Sequence, residues 1–483
     1  MKNISKEKFF ILILFFSLVF FFKRSCLGLP AFADEFHYIN GALAVYHNNL
    51  NPFVSFWAYK PPLLYEITAA LYKLFGYSLE ITRLPILFYS VVTLYFTFLL
   101  GEKIYNKQTG FWAGILLFFS PSFFVQTGLF YSDILVAALT LSTIYFFLTE
   151  KRVTYVLSAA LLVLTKELGV LVVVSIAIYQ FFFGVSKIRG TLFVLSPLLV
   201  FIGWMLLNKF LLGWFLYPVW TSLIFHYNYH QDLAGTVLKT AFWSNARFII
   251  TGIIFLYVVS SLLFKNTFKE KLFKKEIILF AILSVLGVIG LGGLDHAGYG
   301  YVPRYLLFIQ PLFFIIGTAC IFHFIKNRTV AILVCGVISC FFIFSWDSND
   351  EDWYDLNMTY RELVRTHKEA AEFLADKFPS ATIITEYQFK VHLIRPEFGY
   401  VSRPLTHVRG DLNLFTKAKE EGIILVSTFY ANWNDNGACI KNFVQQTHPE
   451  VVARFISPHD EIGLYAIHAD SLNAAVLAKD CHD

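Results

Sequence analysis

Four charged side chains in this chain stand where charge is costly. Asp34 and Glu35 are adjacent in the segment AFADEFHYINGALAVY, just after the first apolar run. Lys60 lies in YKPPL at 59–63, and Arg304 in VPRY at 302–305. All are expected at membrane–water boundaries, where an ionisable residue is a functional candidate by default. Partial desolvation makes a carboxylate a better general base. Lysine offers a compact point charge, and arginine a planar fork matched to phosphate. A carboxylate and two cations so placed suit a substrate that is half lipid and half anion.

Each residue also has a plainer reading. Asp34 could cap the helix that follows it, because Asp is favoured there. His37, three residues later, could orient the Asp34 carboxylate or be an interface histidine without a special role. Lys60 and Arg304 could simply snorkel from span ends. Both precede expected helices, however, and a helix N-terminus favours anions. Pro61-Pro62 starts one of those helices, since proline is tolerated in a first turn. Asp133 opens another expected span. Lys166 and Glu167 interrupt a long apolar stretch and could neutralise one another. Asp295 and His296 precede Arg304 in a glycine-rich loop; two such residues without a third ligand do not define a metal site.

Composition fixes the setting. The chain has 483 residues, 57% of them hydrophobic and only 15% charged, with 54 Phe. Its mean hydropathy is +0.59. A soluble protein carries roughly a quarter charged residues. The expected class is an all-α polytopic membrane protein. The net charge of +5 comes from Lys and Arg spread over short loops, which reports topology and not nucleic-acid binding. The six cysteines form no CxxC or Cys/His cluster. Cys320, Cys335 and Cys340 fall in apolar spans; a Cys439–Cys481 disulfide and unpaired thiols both remain open.

Apolar runs place about eleven spans of roughly 20 residues. Their limits are near 8–23, 83–101, 111–127, 133–149, 154–168, 170–184, 191–208, 247–264, 276–293, 304–325 and 329–345. The loops EKIYNKQTG, TEKR, GVSKIRG, KNTFKEKLFKKE and KNR share a side with the N-terminus and are rich in Lys or Arg. That side is the cytoplasm by the positive-inside rule, with Lys23 and Arg24 the main exception. An uncleaved first helix is favoured over a signal peptide. In the first outer loop, Phe36, Ile39, Leu43 and Tyr46 predict an amphipathic helix along the interface. A second helix is expected from about 63 to 75. The membrane domain is assigned to 1–345, with these interfacial helices at 34–75. Past Trp346 the composition turns polar. A surface helix at 359–377 and strands in ATIITE, GIILVST and EIGLYAIHA predict a small extracytoplasmic α/β domain at 346–483.

Taken together, these segments resemble the GT-C glycosyltransferases that use polyprenyl-phosphate sugars, in particular the aminoarabinose (lipid A) transferases and protein-O-mannosyltransferase-like proteins. The resemblance rests on Asp34-Glu35, Lys60-Pro61-Pro62-Leu63, Arg83-Leu84-Pro85, Thr165-Lys166-Glu167 and Arg304-Tyr305, in that order over about residues 1–325. It implies that Asp34, with Glu35, supplies the catalytic carboxylate. Lys60, Arg304 and Tyr305 would hold the lipid phosphate. His37, Tyr59, Asp133, Lys166, Glu167, Asp295 and His296 are further substrate-binding candidates. Related enzymes often carry Glu before the KPP lysine; here it is Tyr59, which puts any role of that Glu in doubt.

The activity so implied moves a sugar from a polyprenyl-phosphate donor to a protein, lipid or glycan acceptor at the outer face of a bacterial inner membrane. Inverting displacement is expected, and one carboxylate suffices for it, unlike the carboxylate pair of glycoside hydrolysis. No cofactor is required, a divalent metal is left open, and a monomer is expected. No Walker or Rossmann glycine pattern occurs in the sequence. The alternatives are a transporter or lipid flippase, with charges strung along a pore, and a non-catalytic scaffold whose outer domain binds a partner. No internal repeat supports the transporter.

Overall fold

The structure, a computed structural model, describes residues 6–53, 60–215, 247–263, 275–296, 303–347, 356–409, 422–427, 441, 444–445, 448–457 and 460–467. The chain divides into two compact units. One comprises Met1–Arg24, His37–Tyr77 and Ile81–Asn357; the other comprises Ser25–Phe36, Ser78–Glu80 and Met358–Asp483.

The first unit is helical. Its elements are α1 (Lys6–Lys23), α2 (Glu35–His47, which begins in the other unit), α3 (Leu63–Phe75), α4 (Leu79–Ile104), α5 (Lys107–Phe119), α6 (Pro121–Gln126), α7 (Asp133–Leu148), α8 (Arg152–Val163) and α9 (Leu168–Phe183). They continue with α10 (Lys187–Leu195), α11 (Leu198–Leu212), α12 (Phe248–Leu263), α13 (Lys275–His296), a 3-10 turn at Pro303–Phe308, α14 (Gln310–Phe324) and α15 (Arg328–Phe344). Each expected span therefore has helical residues. By length and apolarity, two described segments could cross a membrane: Lys6–Cys26 and Leu79–Ile104. α10 and α11 add a third if that pair, bent by 40°, is one span. Seven further apolar helical stretches, in α7, α8, α9, α12, α13, α14 and α15, have 10–17 residues. At 1.5 Å per residue, they are shorter than a straight crossing needs.

Two devices let these helices pack. Gly101 of α4 meets Gly110 of α5 so closely that a Cβ on Gly101 would lie 2.5 Å from the Gly110 Cα. Small residues permit such backbone approach where lipid supplies no hydrophobic drive. Polar side chains are satisfied within their own helices: Ser90 donates to Ile86 O and Thr97 to Thr93 O, at 2.7 and 2.8 Å.

In α2, Glu35 and Asn40 are buried, while His37 and His47 are exposed. Phe36, Tyr38, Ile39, Ala42 and Val45 are also buried.

In the second unit, β1 (Thr382–Ile384), β2 (Val408–Arg409), β3 (Gly422–Ser427), β4 (Glu450–Ser457) and β5 (Asp460–Ile467) form a mixed sheet of order β2-β1-β3-β5-β4. β1 is parallel to both β2 and β3, with Ile383 opposite Ile423. β5 is antiparallel to β3 and β4. Two helices, α16 (Tyr360–Lys377) and α17 (Tyr387–Ile394), complete the described elements. α16 buries Leu363, Val364, His367, Ala370, Ala371 and Leu374, the one-sided pattern of an amphipathic helix. The helix 387–394 and strands β2 and β4 were not anticipated.

The core of this unit holds titratable groups. Asp460 Oδ2 accepts from Ser427 Oγ at 2.9 Å and lies 2.7 Å from His367 Nε2. Because Ser427 donates to the carboxylate and not to the imidazole, the three do not form a nucleophile relay. Glu386 caps α17 by accepting from the Phe389 N–H at 2.9 Å, and Thr385 donates to its other oxygen at 2.7 Å. Burial, with the nearby Asp460 charge, pushes the Glu386 carboxyl up to about 7. His392 is held well below its ordinary value by burial and by His367.

The two shifts act with opposite sign. Glu386 stabilises the fold fully below its ordinary 4.5 and loses that contribution as pH rises to about 7. Buried neutral His392 favours folding at higher pH and loses that effect as pH falls below its ordinary 6.5. Glu386→Gln should therefore gain on the native protein as pH rises from 4.5 to 7, by on the order of 3 kcal/mol across the window. Thermal unfolding of both proteins at stepped pH measures this; a constant difference in Tm would contradict it.

Candidate active site

The start of α7 is the structural centre of the candidate site. Tyr131, Ser132 and Asp133 are consecutive and buried. Asp133 Oδ1 accepts from Lys166 Nζ at 2.7 Å. Its other oxygen, Oδ2, faces Arg304 Nε at 3.5 Å. Asp133 is 2% exposed and Arg304 4%.

Local structure explains how three distant residues converge. Residues 164–167 break the helix between α8 and α9, so Lys166 leaves the cylinder at a bend. The 3-10 turn at Pro303–Phe308 packs against α6 and α7 and carries Arg304 to Asp133. Aromatic faces complete the cluster. Arg304 Cζ lies 4.4 Å from the Tyr131 ring centre, and Lys166 Nζ lies 3.7 Å from that of Tyr305. A ring quadrupole attracts a cation held over its face.

Lys60 joins from another direction. It precedes α3, whose first N–H, at Leu63, donates to Leu164 O in the bend beside Lys166, at 2.9 Å. Lys60 Nζ donates to Tyr38 Oη at 2.8 Å, and that hydroxyl lies 3.2 Å from Ser132 Oγ. Lys60 is close enough to Lys166 for their charges to repel. In this set three cations meet one carboxylate.

Two of the plainer readings open from the sequence are not what the geometry shows. Arg304 does not snorkel; it is buried against Asp133 and Tyr131. Lys166 pairs with Asp133 rather than with its neighbour Glu167, because the bend turns Lys166 toward the start of α7. Glu167 is half-buried. Sequence reading missed Tyr38, Tyr131 and Ser132, although Tyr131-Ser132-Asp133 is a contiguous polar signal opening an apolar span.

Asp34 and Glu35 belong to the second unit. Asp34 is half-buried, immediately before α2. Glu35 is fully buried, and its carboxylate turns back to accept from the Phe32 N–H at 2.8 Å. That contact shapes the helix entry, with Glu35 reaching back across the first turn. His37 is exposed. Tyr59, Cys439 and Cys481 lie outside the described residues, as do the side chains of Asp295 and His296 at the end of α13. Among the described residues no group of three His, Cys, Asp or Glu could hold a metal ion.

Comparison with known proteins agrees with this architecture. ArnT from Cupriavidus metallidurans superposes with a TM-score of 0.57 in its undecaprenyl phosphate complex, at 13% identity, over 96% of this chain and 98% of that one. Its apo form gives 0.55, also at 13% identity, over 95% and 98%. The chain has the GT-C glycosyltransferase fold. The Archaeoglobus fulgidus oligosaccharyltransferase, in complex with Zn and sulfate, gives 0.50 at 13% identity over 94% of this chain and 73% of that one. Residues 59–207 match the family described as dolichyl-phosphate-mannose-protein mannosyltransferase. No curated protein sequence matches the chain. The family match takes in Lys60, Asp133 and Lys166, and ends before Arg304.

The shared carboxylate makes a stability prediction. Asp133→Asn leaves Lys166 and Arg304 buried without their counter-charge, which is expected to lower stability by about 3–5 kcal/mol. Adding Lys166→Met restores the net charge of the cluster and should recover at least half of that loss. Unfolding of the detergent-solubilised variants measures both; a double variant no more stable than Asp133→Asn would argue against the pairing.

Proposed function

We propose that this chain is an integral membrane glycosyltransferase that moves a sugar from a polyprenyl-phosphate carrier to an acceptor on the extracytoplasmic face. The observation that carries the reading is the cluster of Lys60, Lys166 and Arg304 around Asp133, walled by Tyr38, Tyr131 and Tyr305. Its cations outnumber its carboxylates, and its aromatic walls suit a headgroup attached to an apolar chain. The ArnT relative is described in complex with undecaprenyl phosphate, a ligand of that chemistry.

The roles follow from charge. A lipid phosphate leaves the anomeric carbon as an anion and needs neutralisation more than protonation. Lys60 and Arg304 supply that charge, fixed in advance by Tyr38 and Asp133. Asp133 holds the guanidinium and the Lys166 ammonium in place rather than reacting. Asp34 takes the proton of the attacking acceptor hydroxyl. It immediately precedes α2, the helix that carries Tyr38. Attack opposite the departing phosphate inverts the anomeric carbon. The acceptor is a protein, lipid or glycan hydroxyl or phosphate oxygen, and the donor sugar is a hexose or pentose.

The test uses purified full-length protein with undecaprenyl phosphate as the binding probe and a panel of polyprenyl-phosphate-linked hexoses and pentoses as donors. Lys60→Ala and Arg304→Ala should weaken undecaprenyl phosphate binding by at least tenfold, since each removes a charge-assisted contact of about 1.5–3 kcal/mol. Asp34→Asn should bind the probe normally and lose transfer by about 100-fold or more. Absence of both binding and transfer in the native protein would sink the reading. Full transfer by Asp34→Asn would remove Asp34 from it.

A further inference from the structure

The segment that presents Asp34 is held by an unusual set of contacts within the second unit. Both backbone polar groups of Ala31 are taken by the turn at 396–400. The Ala31 N–H donates to Phe398 O at 2.9 Å, and Tyr400 Oη donates to Ala31 O at 2.7 Å. On the other side of Asp34, the Phe36 ring packs against Phe398 and His392, with ring centres 4.8 and 5.1 Å away. His392 lies flat on Tyr400, at 3.7 Å and 9°. Ala31, Phe32, His392, Phe398 and Tyr400 are all essentially inaccessible.

Between these two holds the backbone is strained. Ala33 has φ +47°, in the left-handed region that side chains other than Gly rarely enter. Such a conformation persists only where its surroundings over-determine it. Here Ala31 is fixed two residues before it, Phe36 three residues after, and the Glu35 carboxylate closes the loop onto the Phe32 N–H. Gly399 lets the turn come this close. It has φ +86°, and a Cβ there would lie 2.6 Å from Leu79 Cδ1 and 3.3 Å from Pro30 Cα.

We propose that the turn at 396–400, backed by His392, is a clamp that fixes the direction of the Asp34 carboxylate, with Tyr400 and Gly399 as positioning residues. This rests on the reading of Asp34 as the base. The second unit then contributes to the rate of the chemical step. The strained Ala33 stores no chemistry itself; it sets the angle at which the chain delivers the next side chain. Tyr400 acts through Ala31, three residues from Asp34, and touches no substrate.

Tyr400→Phe removes one hydroxyl and keeps the ring on His392. In the full-length protein, hydrogen exchange at 31–36 should quicken about fivefold to tenfold, as expected for one lost hydrogen bond. Undecaprenyl phosphate binding and the donor KM should stay unchanged, while kcat falls about tenfold to a hundredfold, the range a misplaced catalytic group produces. Gly399→Ala should act in the same direction and more strongly. Unchanged exchange at 31–36 in both variants would overturn the clamp. Faster exchange with unchanged kcat would overturn its catalytic role. If exchange quickens and Asp34→Asn transfers at full rate, the anchoring stands and the base assignment is what fails.

Discussion

One buried carboxylate carries two cations, and much of the first unit is arranged around it. Asp133 opens α7, Lys166 sits in the bend between α8 and α9, and Arg304 lies on the 3-10 turn before α14. Each charge alone in this interior would be uncompensated at a cost of several kcal/mol. The three elements are therefore tied to one another more tightly than apolar packing would require. A continuous helix through 164–167 would carry Lys166 past the carboxylate, so the bend is part of the same constraint. The result is positive charge fixed in advance, which an anionic group meeting it need not reorganise.

The tyrosines explain how that charge is kept without being cancelled. A second carboxylate would neutralise Lys60 and halve the excess positive charge of the cluster. A phenol orients the ammonium by accepting one hydrogen bond and leaves its formal charge intact. Tyr38 does this for Lys60, while the faces of Tyr131 and Tyr305 lie against Arg304 and Lys166. Cation–ring attraction survives desolvation better than an exposed ion pair survives salt. The three cations are thus held by one anion and three rings, an arrangement biased toward an anionic guest.

Much of this was legible in the sequence, and the exceptions share a cause. The apolar runs located the helices because twenty-residue hydropathy is a one-dimensional signal. Asp133, Lys166 and Arg304 stood out singly for the same reason, each being a charge where charge is rare. Their pairing was not legible: 33 residues separate Asp133 from Lys166, and the adjacent Glu167 was the simpler partner on paper. Tyr38 and Tyr131 were invisible because an aromatic in a chain with 54 Phe and 26 Tyr is lost in the background. The second unit shows the same limit. β3 and β5 are apolar and were found, whereas β4, an edge strand with exposed Glu450, Val451 and Ile456, offers little to read.

At 13% identity to its structural relatives, the fold has been kept while most side chains have changed. The family match, over residues 59–207, spans Lys60, Asp133 and Lys166, the part whose spacing along the chain is set by consecutive helices. Arg304 and the segment around Asp34 lie outside it. Those two depend on elements brought in from far along the chain, a 3-10 turn in one case and the turn at 396–400 in the other. Contacts of that kind can be rebuilt from different residues as long as the backbone is delivered to the same place. The strained Ala33 bears on this point. A left-handed alanine has a local cost that only surrounding structure can offset, and both hydrogen bonds of Ala31 are made to a turn more than 360 residues later. Asp34 is therefore best understood as a residue of the C-terminal unit that happens to be encoded near the N-terminus.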